Sequence, residues 1–146
     1  MKRTTRPASR QTLAVGGKRY FSPQRAQRTL VLVRRIVGDV VEEYPRLLEC
    51  QEMLESAQRH GSPEYLHRLQ QDMMRSAGRL QGYVDELAGI GVELSDFAHG
   101  RVEFPAWSTG REIRLCWQHG EAGINCWYDP NLAQPGRRPI EELATA

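Results

Sequence analysis

His60-Gly61-Ser62-Pro63-Glu64 is the stretch whose reading decides the fold. Gly61 suits the end of a helix, where the chain needs conformational freedom. Ser62 suits an N-cap, Pro63 the first helical position, where its missing N–H costs nothing, and Glu64 the positive end of the helix dipole. One helix stops here and another starts. On either side the apolar residues recur in steps of three and four. Upstream they are Ala26, Leu30, Val33, Val37, Val40, Tyr44, Leu47 and Leu54, with Gln51 in the same register; downstream Leu66, Leu69, Met73, Leu80, Tyr83, Leu87 and Ile90, with Ser76 in register. These are heptad seams. So short a connection allows only an antiparallel helical hairpin, spanning residues 22–90.

The outer ends of the hairpin carry matching punctuation. Ser22-Pro23 repeats the start signal, with Phe21 placed to staple against Ala26. Gly89 and Gly91 close the second helix. Pro45 interrupts the first seam and costs about 3 kcal/mol inside a helix. Because the periodicity resumes at Leu47 and Leu54, a kink near Pro45 is expected rather than an end. Val31, Leu32, Val41, Leu48 and Val84 lie off the seams and widen the apolar face. A two-helix hairpin is half of a four-helix bundle, so that face needs cover. The C-terminal strands and a second copy of the chain are both expected to supply it, which makes the protein a homodimer with a coiled-coil character. Met53 and Met74 are suited to such a dimer face.

After Gly91 the period changes to two. Val102-Glu103-Phe104, Glu112-Ile113-Arg114-Leu115-Cys116-Trp117 and Ile124-Asn125-Cys126-Trp127-Tyr128 alternate as strands do. A three-stranded antiparallel meander over 101–128 is predicted, laying Ile113, Leu115 and Trp117 on the hairpin. Residues 129–140 read as an irregular loop and 141–146 as a frayed tail. The fold class is therefore α+β, one domain over 20–140.

No apolar run approaches the ~20 residues that span a bilayer. The basic N-terminus lacks the apolar segment of a signal peptide. Three cysteines form no disulfide framework, which favours the cytoplasm. The net charge of +2 conceals an asymmetry. Residues 1–19 hold Lys2, Arg3, Arg6, Arg10, Lys18 and Arg19 with no acid, whereas the remainder sets fourteen arginines against eighteen acids. Such a basic arm can hold nucleic acid by counterion release. It also reads as a disordered, solvated tail, or as the product of a start codon upstream of the true one.

Three constellations carry potential chemistry. His99, Cys116, His119, Glu121, Cys126 and Asp129 are metal-ligand types, without the paired spacing that fixes a tetrahedron. Cys116 with His119 and Glu121 loosely suggests a thiol triad, although nothing points to an oxyanion hole. Arg111, Glu112, Glu121, Asp129 and Arg137 gather around the predicted turns beside Trp117 and Trp127. That charged rim is suited to a small ligand or a peptide carboxylate. The plainer alternative pairs Arg137 with Glu121 or Asp129 to pin the C-terminal loop. No cofactor is expected.

The chain resembles a prokaryotic, chiefly bacterial, family known as domain of unknown function 2203. The residues that carry the resemblance are Tyr20-Phe21-Ser22, Gly91-Val92-Glu93-Leu94, Phe104-Pro105-Ala106, Gly110-Arg111-Glu112, Leu115-Cys116-Trp117, Gly120-Glu121, Trp127 and Gly136-Arg137-Arg138-Pro139. The resemblance covers about residues 20–140 and implies no assigned activity. Where the family has Trp-His-acid, this chain has Trp127-Tyr128-Asp129, so no histidine serves there. Ala133-Gln134 replaces the family's Gly-Phe. The leading expectation is a non-enzymatic interaction or scaffold protein that self-associates through the hairpin. The alternatives are a small-molecule- or metal-dependent enzyme at the charged rim, and nucleic-acid binding through the arm.

Overall fold

A computed structural model describes residues 12–15, 18–132 and 136–143. Helix α1 spans Pro23–His60 and α2 spans Pro63–Ile90. Each begins as the sequence dictates. Ser22 Oγ accepts from the Arg25 N–H at 3.1 Å and Ser62 Oγ from that of Tyr65 at 3.2 Å. Gly91 ends α2 in the left-handed region, at φ 97°. α1 is helical straight through Pro45. Along α2 the seam positions Leu69, Ser76, Leu80 and Leu87 are buried.

The sheet is larger than the predicted meander. Five antiparallel strands lie in sequence order: β3 (Glu93–Asp96), β4 (Arg101–Ser108), β5 (Arg111–Gln118), β6 (Cys126–Tyr128) and β7 (Arg138–Pro139). The predicted three strands correspond to β4, β5 and β6. β3 follows the Gly91 cap so closely that it reads as connector, and β7 is two residues in a Pro/Gly-rich segment. Both are strands because of the partner beside them, not because of their own alternation. A short 3₁₀ helix, Ile140–Glu142, follows β7 in the stretch read as loop and tail. The basic arm also differs from its reading in part. Thr12–Val15 (β1) and Lys18–Phe21 (β2) pair as a two-stranded ribbon, while residues 1–11, 16–17, 133–135 (with Ala133-Gln134) and 144–146 lie outside the described residues.

Alternation along β4 and β5 sorts the side chains. Val102, Phe104 and Ala106 face inward opposite Trp117, Leu115 and Ile113. With Trp127 they pack on Phe21, Ala26, Leu30, Val33, Ile36 and Val37, and on Leu87 of α2. Each large side chain so buried contributes about 1.5–3 kcal/mol. Phe21 meets Phe104 edge to face, centroids 5.2 Å apart. The loop 119–125 is tied to α1: Gln27 Oε1 accepts the Ile124 N–H at 3.1 Å, and Arg34 donates to the Ala122 carbonyl. Gly100 (φ 67°) lies so close to Val37, Val41 and His119 that a Cβ there would fall within 2.8 Å of each.

The core cluster ends abruptly along the hairpin. Its α1 members stop at Val37, with Val41 packed alongside, and its α2 members are Leu87 with Tyr83 and Ile90 alongside. Beyond them the two helices run on as an arm, roughly 28 Å long at 1.5 Å per residue from Glu42 to His60. Inside the arm Glu43, 3% exposed, is held by three bonds from α2. Arg79 donates to it twice, at 3.0 and 3.1 Å, and Ser76 once, at 2.6 Å.

Candidate functional site

The outward face of the sheet carries a polar lattice that follows from the same alternation. One transverse row crosses all five strands: Glu93, Glu103, Cys116, Cys126 and Pro139, each the register partner of the next. The adjoining row is Pro105, Arg114 and Tyr128. Arg114 lies at the centre, its side chain only 15% exposed. Its guanidinium reaches Glu93 at 2.5 Å, Glu112 at 3.1 Å and Glu103 at 3.7 Å. Tyr128 donates to Glu103 at 2.8 Å, and Tyr20 of β2 donates to Glu112 at 2.9 Å. Tyr20 also packs edge to face on the half-exposed Trp107. Arg114 Nε is buried with no hydrogen-bond partner.

The electrostatics follow from burial and these partners. Burial, and then hydrogen bonding to the glutamates, pushes the phenols of Tyr128 and Tyr20 up. Burial likewise pushes the Cys116 thiol up to about 12, reinforced by Cys126 and Glu103 and opposed by Arg137. A thiol so raised is almost wholly protonated at neutral pH, so it is a slow nucleophile there and no activated catalytic one. Cys116 also lies on the outward face, whereas His119 stacks edge-on against the inward Trp117, centroids 6.3 Å apart. Among the described residues no group of three or more His, Cys, Asp and Glu is placed to hold a metal ion. His99 pairs with Asp96 at 3.0 Å within the β3–β4 turn.

The residues of the expected rim are dispersed. Trp117 is 1% and Trp127 6% exposed; both are core, with their indole N–H groups bonded to the carbonyls of Glu121 at 2.9 Å and Pro139 at 3.0 Å. The Glu121 carboxylate accepts the Gln118 N–H at 2.9 Å, closing the β5–β6 turn. At the opposite end of β5, Arg111 pairs with buried Asp129 at 3.1 Å, and Asp129 also accepts the Asn131 N–H at 2.9 Å. Glu112 belongs to the Arg114 lattice, and Arg137 is exposed. What converges is a different set. Ser108, Thr109, Arg111, Trp127, Arg138 and Glu142 line a cleft of about 430 Å³. Arg138 lies over the Trp127 ring at 5.5 Å and pairs with Glu142 at 2.9 Å.

Sequence reasoning missed Glu93, Glu103, Arg114, Tyr20 and Tyr128. Period-two alternation already placed Glu112, Arg114 and Cys116 on one face, opposite Ile113, Leu115 and Trp117. The neighbouring strands' registers, which bring Glu93, Glu103 and Tyr128 beside them, have no local signal.

None of the described helices is long and apolar enough to cross a membrane. No curated protein and no solved structure matches the chain. A family model described as "Uncharacterized conserved protein (DUF2203)" matches residues 19–140, a span that takes in most of β2, the hairpin and all five strands of the sheet, and the chain belongs to that family.

Proposed function

We propose that the protein is a cytoplasmic interaction domain that self-associates through the projecting half of its helical hairpin. One observation carries this reading: the arm beyond Val41 and Leu80 is two helices thick and contributes nothing to the core cluster. Its seam residues Tyr44, Leu47, Leu54, Leu66 and Met73 are only half-buried. Leu48, one heptad beyond the sheet-covered Val41, is 42% exposed and continues that face past the edge of the sheet. The arm also has its charges divided. From Glu42 to His60, α1 exposes Glu42, Glu49, Glu52 and Glu55 against Arg46 and Arg59. From Pro63 to Leu80, α2 sets Arg68, Arg75 and Arg79 against Glu64 and Asp72. A second copy with its α2 beside this α1 satisfies both apolar and charge demands, as in an antiparallel four-helix bundle. Buried Glu43 fixes the register of the two helices, a known use of buried polar groups.

Equilibrium sedimentation at tens of micromolar tests the reading. The wild-type chain is expected as a dimer and Leu48→Asp as a folded monomer. A wild-type monomer with a stable fold would overturn it.

The cleft at the end of β5 supports a second reading, as a site for a small carboxylate or phosphate. Arg111 and Arg138 both line it, Arg138 over the Trp127 ring, and an anionic ligand there displaces Glu142 from Arg138. Citrate and inorganic phosphate are then expected to raise the melting temperature of wild type but not of Arg138→Ala. Equal shifts in the two proteins would sink it.

A further inference from the structure

We propose that Cys116 and Cys126 form a cross-strand dithiol site that takes a small-molecule disulfide of the glutathione class as oxidant and closes to an intramolecular disulfide joining β5 to β6. The two residues are direct register partners on antiparallel strands. Such partners have Cα atoms about 4.5 or 5.5 Å apart, according to their place in the ladder. Both separations fall within the roughly 4.4–6.8 Å that a disulfide spans. Their side chains leave the same face of the sheet, and the Cys126 thiol is near enough to act on that of Cys116 by charge and hydrogen bonding. All three cysteines are free thiols.

Exposure assigns the order of events. Cys116 is 2% exposed, whereas Cys126 is half-buried at the short strand β6. The Cys126 thiolate attacks one sulfur of the incoming disulfide, forms a mixed disulfide and expels one thiolate. Cys116 then loses its proton to solvent and attacks the Cys126 sulfur, expelling the second thiolate. Two protein thiols are oxidised and one disulfide is reduced to two thiols. The titratable and charged groups facing Cys116 are Glu103 on β4, Cys126 and Tyr128 on β6, and Arg137 ahead of β7. Burial, and then Cys126 and Glu103, hold the proton on Cys116, so closure is gated by the second step and accelerates as pH rises. The same raised thiol is a poor leaving group, so the closed form resists reduction. The site is thus open under reducing conditions and persistent once formed.

Its consequence is mechanical. β6 has three residues and, among the described strands, is the one through which β7 joins the sheet. A bond from Cys126 to Cys116 fastens both to the central strand, independently of any association through the hairpin arm.

The test uses the full chain carrying Cys50→Ser, which removes the half-exposed thiol on α1 as a source of intermolecular bonds. Folded protein is incubated with oxidised glutathione at neutral and at mildly alkaline pH, then alkylated. Intact mass and non-reducing peptide mapping are the readouts. The expected product is lighter than the dithiol by two hydrogens, with the Cys116 and Cys126 peptides linked, and it forms faster at the higher pH. Adding Cys116→Ser is expected to halt the reaction at a glutathione adduct on Cys126. The wild-type chain gives the same peptide linkage should Cys50→Ser fold poorly. Recovery of two alkylated thiols, or of a lasting adduct on Cys126 with Cys116 intact, would overturn the proposal.

Discussion

Arg114 shows how a single side chain organises the outward face of the sheet. An antiparallel sheet with one solvated face needs no buried cation there, yet this guanidinium joins carboxylates from β3, β4 and β5. Removing it leaves three glutamates facing one another. Arg114→Met is therefore expected to lower stability by about 2–3 kcal/mol in urea denaturation. Salt should restore part of the loss by screening the glutamates; a salt-insensitive deficit would mean that lost packing, not repulsion, causes it. Glu43 is the second residue of this kind. The Arg79 hydrogen bonds hold its carboxyl below the ordinary 4.5, aided by Ser76 and opposed by burial. A group whose folded pKa is depressed contributes stability above its unfolded value, lost as the pH falls through the folded one. Glu43→Gln should thus be about 1–2 kcal/mol less stable than wild type at neutral pH. The difference should shrink once the pH drops below that ordinary value. A gap that stays constant into acid would refute the charge-based account.

Among the elements, the helices were the most legible. Their caps are local chemistry: Ser22 and Ser62 each satisfy an N–H three residues on, and that spacing is visible in the chain. The α2 seam was legible too, because a helix with one neighbour shows one stripe. Legibility failed where an element exists only through its partner. β7 needs Cys126 and Trp127 beside it, and the pairing of Arg111 with Asp129 depends on where β6 ends. The rim residues Trp117 and Trp127 look alike in sequence to exposed indoles; only their inward register makes them core. Gly100 is a comparable case, for its close approach to α1 cannot be read locally. It seats β4 against the helix, so Gly100→Ala combines left-handed strain with overlap on Val37 and Val41. A loss of about 2–4 kcal/mol is expected. Gly110, also at positive φ (80°) but with open space around it, should cost only about 1–2 kcal/mol as Ala, from strain alone. Equal losses at the two sites by thermal unfolding would refute the close-packing account.

On the scale of the whole molecule, the sheet and the near half of the hairpin already form a closed core, so the arm's persistence calls for another cause. A chain under selection for the fold alone has no use for a further run of seam positions whose apolar side chains are mostly only half-buried. The arm contains a buried ion-paired glutamate, half-buried apolar residues and oppositely biased helices, the features on which the proposed self-association rests. A shortened chain tests this without touching the core. Removing residues 52–72 and joining Gln51 to Met73 through a short Gly-Ser turn leaves Glu43, Ser76 and Arg79 and every core-cluster residue in place. The shortened protein is expected to keep the near-ultraviolet signature of buried Trp117 and Trp127 and to unfold cooperatively. It should sediment as a monomer where the full chain is dimeric. The full chain's melting temperature should rise with protein concentration, as mass action requires of a folded dimer, while that of the shortened chain should not. If the shortened chain still dimerises, the contact lies on the sheet or the near half of the hairpin. If it loses its tertiary signature, the arm serves the fold itself.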